Sequence, residues 1–407
     1  MRCLNPGMTL YDQLPLPATP LKNKRVFREA AIVTQQSDYK TRSIEVEKEL
    51  RQELYGAVFI ETPCFLDTFF SVPPDIADHI SETVRTHGYH NGSRWTAFPE
   101  PSKHHYEKDL YGPFVEIANF ITNECSTDAK FDLHWLSDPH RSPTSVDTKA
   151  ADIEPDIIGV LGFPTAAPAD AEPRQNSERK PRESKLPKAP WRRVHVPMEV
   201  KRENVQWAAA LQLFKYIRQV FHESFDRRFV FGIVLARSNI TVYLADRSGI
   251  LGSETFDIHN VSCFYSPRGA VSQYHSAKEP HLLIRVIAGL ALLDISKLGW
   301  DTSLAVVPRL PTCNNSSRMS FDVPYGELDV SHDWYGHYWR LEMPKPRSDE
   351  PSKMSDDTEA FILFQHLSLS RGEVILGRAT RVWRAWREDE MNLPLSRRTV
   401  CFFLEAL

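Results

Sequence analysis

Cysteine is sparse and unpaired in this sequence. Cys3, Cys64, Cys125, Cys263, Cys313 and Cys401 lie far apart, with no Cys-x-x-Cys spacing and no nearby paired histidines. This argues against a structural zinc site and a disulfide framework, and for a reducing compartment. Long apolar runs are also missing. None approaches the roughly 18 residues of a membrane span, and the N-terminus, Met-Arg-Cys-Leu-Asn-Pro-Gly, lacks the apolar centre of a secretion signal. Nor is there an excess of positive charge: 49 Lys and Arg stand against 53 Asp and Glu, a net charge of -4. A uniformly basic nucleic-acid surface is therefore not expected, although local basic patches are allowed. These absences imply a soluble intracellular protein, cytoplasmic or nuclear, with no membrane partner.

What is present suits two or three units, given 407 residues of which 42% are hydrophobic. Residues 1–105 read as a helical N-terminal region with a disordered tail. Arg42 to Leu54 is rich in Glu, Arg and Leu, all good helix formers. Phe65-Leu66-Asp67-Thr68-Phe69-Phe70 is an apolar cluster ended by Pro73-Pro74, and Asp75 to Thr86 follows as a helix. From Glu107 to Asn123, Leu110, Phe114, Ile117 and Ile121 recur at helical spacing, with Pro113 near the start.

Residues 106–310 read as an α/β domain interrupted by an insert at 163–190. Six prolines fall within 164–190, among Glu, Lys, Arg and Ser, with almost no large apolar side chains. Such a segment buries too little surface to offset its ordering entropy. Arg179-Lys180-Pro181-Arg182 with Lys185, Lys188, Arg192 and Arg193 forms a basic tract. It is open to three readings: a solvated linker, a nuclear-import signal, or a phosphate-contacting arm that would bring a nucleic acid or protein partner.

The insert separates Asp156 from Glu199 by 43 positions, yet it can loop out and leave the two close together. Val194, Val196, Met198 and Val200 alternate with His195, Pro197, Glu199 and Lys201, the period of a strand. Glu199 and Lys201 then share a face, and Asp156 joins them if its segment is the neighbouring strand. Two carboxylates and an ammonium at one edge suit Mg²⁺, bound by Asp156 and Glu199, with Lys201 stabilising charge that develops on a phosphate. On the following helix Gln212 and Tyr216 are one turn apart, away from the apolar face of Trp207, Ala210, Phe214, Ile217 and Phe221.

Pro155-Asp156, Glu199-x-Lys201 and the later Gln212-x-x-x-Tyr216 resemble the PD-(D/E)xK nuclease superfamily, in particular its RecB-like exonuclease branch. The resemblance implies a restriction-endonuclease-like mixed sheet with helices. It also implies Mg²⁺-dependent cleavage by Asp156, Glu199, Lys201, Gln212 and Tyr216, with Glu107 or Glu116 joining from the preceding helix.

A second resemblance covers roughly residues 107 to 386. The blocks Gln212 to Phe231, Leu244-Ala-Asp-Arg-Ser-Gly249, Ser253 to His259, Leu283 to Leu290 and Leu298-Gly-Trp-Asp301 occur in the order of the fungal-type protein kinase family. The family's activity, phosphoryl transfer from ATP to protein Ser or Thr, is what that resemblance implies. Residues 311–407 would then be an incomplete kinase small lobe. Ala360–His366 and Glu373–Trp386 are its expected strands, flanking Gly377-Arg378-Ala379-Thr380, with Gly377 and Thr380 at the nucleotide. Ala379 replaces a second glycine, and its methyl group would hinder close backbone approach to phosphate. No His-Arg-Asp or Asp-Phe-Gly occurs, and no lysine follows Trp386. A kinase needs a strand lysine, a catalytic-loop Asp and Asn, and a metal-binding Asp. The expectation is thus a truncated, kinase-inactive chain, with ATP a ligand only where a complete lobe exists. A nuclease or a non-catalytic scaffold are the alternatives.

Overall fold

The computed structural model describes residues 43–100, 106–125, 133–137, 142–145, 153–161, 188–224, 226–259, 282–307, 338–346, 354–366, 375–376, 381–391, 393 and 397–405. The expected tail and nearly all of the insert lie outside these residues, as do Gly377 and Thr380.

The fold is mixed α and β, with two sheets among the described residues. The elements in chain order begin with α1 (Ser43–Glu53), β1 (Val58–Thr62), α2 (Phe65–Phe69), α3 (Pro74–Thr86), α4 (Tyr111–Glu124), β2 (Leu133–Ser137) and β3 (Ile157–Leu161). They continue with β4 (Val194–Lys201), α5 (Gln206–Glu223), β5 (Phe229–Ala236), β6 (Asn239–Asp246), β7 (Ile250–Ser253), β8 (Phe256–Asp257) and α6 (Leu282–Leu292). The last are β9 (Leu304–Val307), β10 (Tyr338–Pro346), β11 (Met354–His366), β12 (Arg381–Arg387) and β13 (Val400–Glu405). An eight-stranded sheet runs β1-β7-β6-β5-β4-β3-β2, with β8 on β6, and a five-stranded sheet runs β13-β12-β11-β10-β9.

The large sheet is mixed. β4 and β5 are parallel, as are β1 and β7, while β2-β3-β4 and β5-β6-β7 pair antiparallel. Both faces are covered. Phe231, Ile233 and Leu235 of β5 join α3, α4 and α6 in one core. The intervening Val230, Val234 and Ala236 join α1 and α5 in another. Alternation along a strand thus feeds two cores rather than a core and solvent. Gly232 stands where a Cβ would come 3.0 Å from Leu213 of α5, so its lack of a side chain lets helix and strand approach.

The N-terminal region, expected to be helical with a disordered tail, also supplies β1, which extends the large sheet along β7. The apolar run Val58-Phe59-Ile60 follows Gly56, whose φ of 74° turns the chain out of α1. The helix expected from Glu107 is divided. Glu107–Asp109 is a 3-10 turn and α4 starts at Tyr111, which leaves Pro113 in the first turn where no backbone donor is needed. The apolar block Leu283 to Leu290 lies in α6, which is followed by a 3-10 turn at Ile295–Leu298 and Gly299 at φ 96°. Among the described residues no helix is long and apolar enough to cross a membrane.

Candidate functional site

β3 and β4 run antiparallel with Ile157 opposite Met198, which brings Asp156, one residue ahead of β3, level with Glu199. The Val200 N–H donates to Asp156 Oδ2 at 2.8 Å, and the Tyr111 hydroxyl donates to Asp156 Oδ1 at 2.6 Å. Tyr111 is the first residue of α4, so the helix that covers the sheet also fixes this carboxylate.

Glu199 is 0% exposed. The Lys201 ammonium lies 2.6 Å from its Oε1, and the Tyr216 hydroxyl is 2.7 Å from its Oε2. Gln212 Nε2 donates to the Tyr216 hydroxyl at 3.0 Å, and that hydroxyl is also 3.0 Å from the Glu154 carbonyl. The spacing of Gln212 and Tyr216 on one helical face, four residues apart, makes this chain of contacts geometrically natural. Lys201, 22% exposed, also faces Glu107 at 3.5 Å. Asp156, Glu199, Lys201, Gln212 and Tyr216 are therefore brought together, with Glu107 at the rim. Glu116 faces Tyr89 instead, on another side of α4.

Three carboxylates surround one ammonium. Burial raises the Glu199 carboxyl to about 8, and the Asp156 charge adds to this, against the opposing pull of Lys201 and Tyr216. Burial also raises Asp156 from its ordinary value, while its bonds from Tyr111 and Val200 and the charge of Lys201 pull it back. Burial acts to lower Lys201, but Glu199, Glu107 and Asp156 outweigh it and keep the ammonium charged. Tyr111 and Tyr216 are held protonated, by burial first and then by their carboxylate partners. Both phenols thus act as hydrogen-bond donors across the neutral range.

Among the described residues no group of three or more His, Cys, Asp or Glu side chains is arranged to hold a metal ion. Mg²⁺ does not require three, since it keeps several waters and is often held by one or two carboxylates. The donor set of Asp156 and Glu199 consists of hard oxygens, the type that Mg²⁺ prefers.

In the second sheet, β10 pairs with β11, β11 with β12 and β12 with β13, all antiparallel. Ile375-Leu376, expected to begin a strand, instead forms a bend beside α1. The sequence pattern of the family described as "Fungal protein kinase" matches residues 174–400, more than half of the chain. The chain belongs to the fungal protein kinase family. The match takes in Glu199, Lys201, Gln212 and Tyr216, whereas Asp156, Tyr111 and Glu107 precede it. No curated protein and no solved structure matches the chain.

Within this kinase-family region, the connection from β11 to β12 contains the Gly377-Arg-Ala-Thr380 segment. The next strand in the sheet is β13, Val-Cys-Phe-Phe-Leu-Glu. In protein kinases the strand after the glycine-loop hairpin carries the lysine that pairs the nucleotide phosphates. β13 carries none. Sequence reasoning did not find Tyr111, because an aromatic residue at the head of an apolar helix has the same local pattern as one that only packs.

Proposed function

We propose that this polypeptide is a member of the fungal protein kinase family that does not itself transfer phosphate and acts through binding. The observation that carries this reading is the composition of β13. The strand beside the expected glycine-loop hairpin has no cationic side chain to hold the phosphates of ATP. Ala379 in place of a second glycine supports the same reading. The test is to titrate Mg²⁺-ATP into the purified chain and to incubate it with labelled ATP and a mixture of Ser- and Thr-containing peptides. No saturable binding in the micromolar range and no label transfer are expected. Transfer that survives purification to homogeneity would remove the reading.

A second reading is favoured by the convergence of Asp156, Glu199, Lys201, Gln212 and Tyr216, which the first reading leaves unexplained. It is Mg²⁺-dependent cleavage of a nucleic-acid phosphodiester. Asp156 and Glu199 would hold the ion, which when bound supplies an acidified water and positive charge at a phosphate oxygen. Lys201 would stabilise charge on the phosphate, with Tyr216, itself held by Gln212, fixing the Glu199 carboxylate. Incubation with single- and double-stranded DNA and RNA, with Mg²⁺ and with EDTA, tests it. Metal-dependent cleavage lost in Lys201→Ala is the expected result. Cleavage that persists in Lys201→Ala would remove this mechanism.

A further inference from the structure

The mouth of the site at Asp156, Glu199 and Lys201 carries exposed groups that neither reading uses. Tyr106 directly precedes Glu107, whose carboxylate lies 3.5 Å from the Lys201 ammonium. It is 63% exposed and is the one aromatic among the exposed large hydrophobic side chains of the described residues. A ring kept for packing is buried, as Tyr111 is five residues later. The backbone of Tyr106 is nevertheless fixed. Its N–H donates to Asp109 Oδ2 at 2.9 Å, and its carbonyl accepts from the Asp109 N–H at 3.2 Å. The ring thus stands in solvent on a rigid base, with the Lys108 ammonium 5.1 Å from its centroid.

The strand ends supply further cations. β4 and β5 run parallel with Lys201 opposite Ala236, so the residues that follow, Arg202 and Arg237, leave both strands at the site. Both are exposed. The Arg237 N–H donates to the Lys201 carbonyl at 2.7 Å. Arg237 is the first of the two residues that turn β5 into β6, and it stands at φ 63°. Glycine suits that position best, so a long cationic side chain is kept there at a conformational cost that the turn does not require. Arg202 is paired with Glu203 at 2.9 Å, which makes Lys108 and Arg237 the two cations best placed for a phosphate chain.

We propose that this mouth binds single-stranded nucleic acid, with one base stacked on Tyr106 and the flanking phosphates met by Lys108 and Arg237. An exposed ring beside a cation accepts any base by its face. Inside a duplex those faces are already covered by neighbouring bases, so the ring selects an unpaired strand. With two cations in place of a basic groove, stacking carries more of the affinity than charge does, in keeping with a net charge of -4. The inference deepens the second reading, on which it rests for the position of the reacting phosphate, but binding itself needs no cleavage.

Fluorescence anisotropy of the intact chain tests it, with labelled oligothymidine and oligouridine about twelve nucleotides long and with a hairpin duplex. Measurement in EDTA and again in Ca²⁺ reads binding apart from Mg²⁺-dependent cleavage. Both single strands should bind more tightly than the hairpin, and a preference between them assigns DNA or RNA within the proposal. Tyr106→Ala should weaken single-strand binding at least about fivefold, while Tyr106→Phe, which keeps the ring, should match the wild type. Affinity should fall with salt at a logarithmic slope of about -1.4, from about -0.7 for each cation, and Arg237→Ala should halve that slope. No binding, equal affinity for hairpin and single strands, unchanged affinity in Tyr106→Ala, or equal displacement by polyglutamate would each overturn the proposal. Binding that depends on Tyr106 without any cleavage in Mg²⁺ supports the proposal and removes only the second reading. Cleavage in Mg²⁺ with binding indifferent to Tyr106→Ala does the reverse.

Discussion

Glu199 and Lys201 stand two positions apart on β4, and their charged groups meet at 2.6 Å although Glu199 is wholly buried. The pleat of the strand places both on the α5 face, and the second core closes over the carboxylate. Asp156 reaches the same point from the start of β3 through the Val200 amide. The arrangement concentrates like charge where solvent is scarce, and Lys201 is the group that makes this tolerable.

Lys201→Met should therefore destabilise the chain chiefly above about pH 8, by about 3 kcal/mol, because there the buried Glu199 carboxylate is left without its counter-charge. Glu199→Gln should cost less, since an amide still bonds the Tyr216 hydroxyl and removes the repulsion from Asp156. Urea denaturation of the two variants and of their combination checks this. Equal losses for Lys201→Met alone and Lys201→Met with Glu199→Gln would show that the ion pair does not carry the effect.

Tyr111→Phe should cost about 1.5–3 kcal/mol, the range for a hydrogen bond to a charged group. The ring remains buried at the head of α4, so packing is conserved and only the 2.6 Å bond to Asp156 is lost. Equilibrium denaturation measures it, and a change below a few tenths of a kcal/mol would mean that Asp156 is held by the Val200 amide alone.

Much of this site was legible in the sequence because its parts obey local periods. The alternation of β4 placed Glu199 and Lys201 together, and the four-residue spacing placed Gln212 over Tyr216. The pairing of β3 with β4 across the long insert was also inferable, because Pro155-Asp156 ends in an apolar run of strand length. Tyr111 was not legible: nothing local distinguishes a tyrosine that bonds a carboxylate 45 residues away from one that packs. β1 was hidden for a similar reason, since five residues carry too little pattern to show that they complete a sheet edge. Ile375-Leu376 looked like part of a strand because it is apolar and short. Its partner is Glu53, 323 residues distant, and sequence pattern carries no information at that separation.

Gly299→Ala should be among the most damaging single substitutions, costing more than about 4 kcal/mol or preventing folding. Gly299 has φ 96°, and a Cβ there would lie 2.0 Å from the Phe229 carbonyl oxygen. The Arg228 N–H bonds the Gly299 carbonyl at 2.7 Å, so the close approach is part of how β5 is joined to the turn after α6. Thermal denaturation of Gly299→Ala beside Gly112→Ala, where a Cβ meets nothing within 4 Å, separates this crowding from the general effect of replacing a glycine.

Glu53 makes stability depend on pH in a stated direction. Burial raises its carboxyl from the ordinary value of 4.5 to about 7. Between these values the folded chain keeps a proton that the unfolded chain has released, so stability falls as pH rises through that window. The contribution is fully present below about pH 4.5 and lost by about pH 7, on the order of 3 kcal/mol in total. Arg218 and Arg247 oppose the shift and limit its size. Glu53→Gln cannot titrate and should flatten the stability profile between pH 5 and about pH 7. Urea midpoints of wild type and Glu53→Gln, measured at half-unit steps over that window, give the difference directly. Parallel profiles for the two proteins would assign the slope to other groups and leave Glu53 with an ordinary carboxyl.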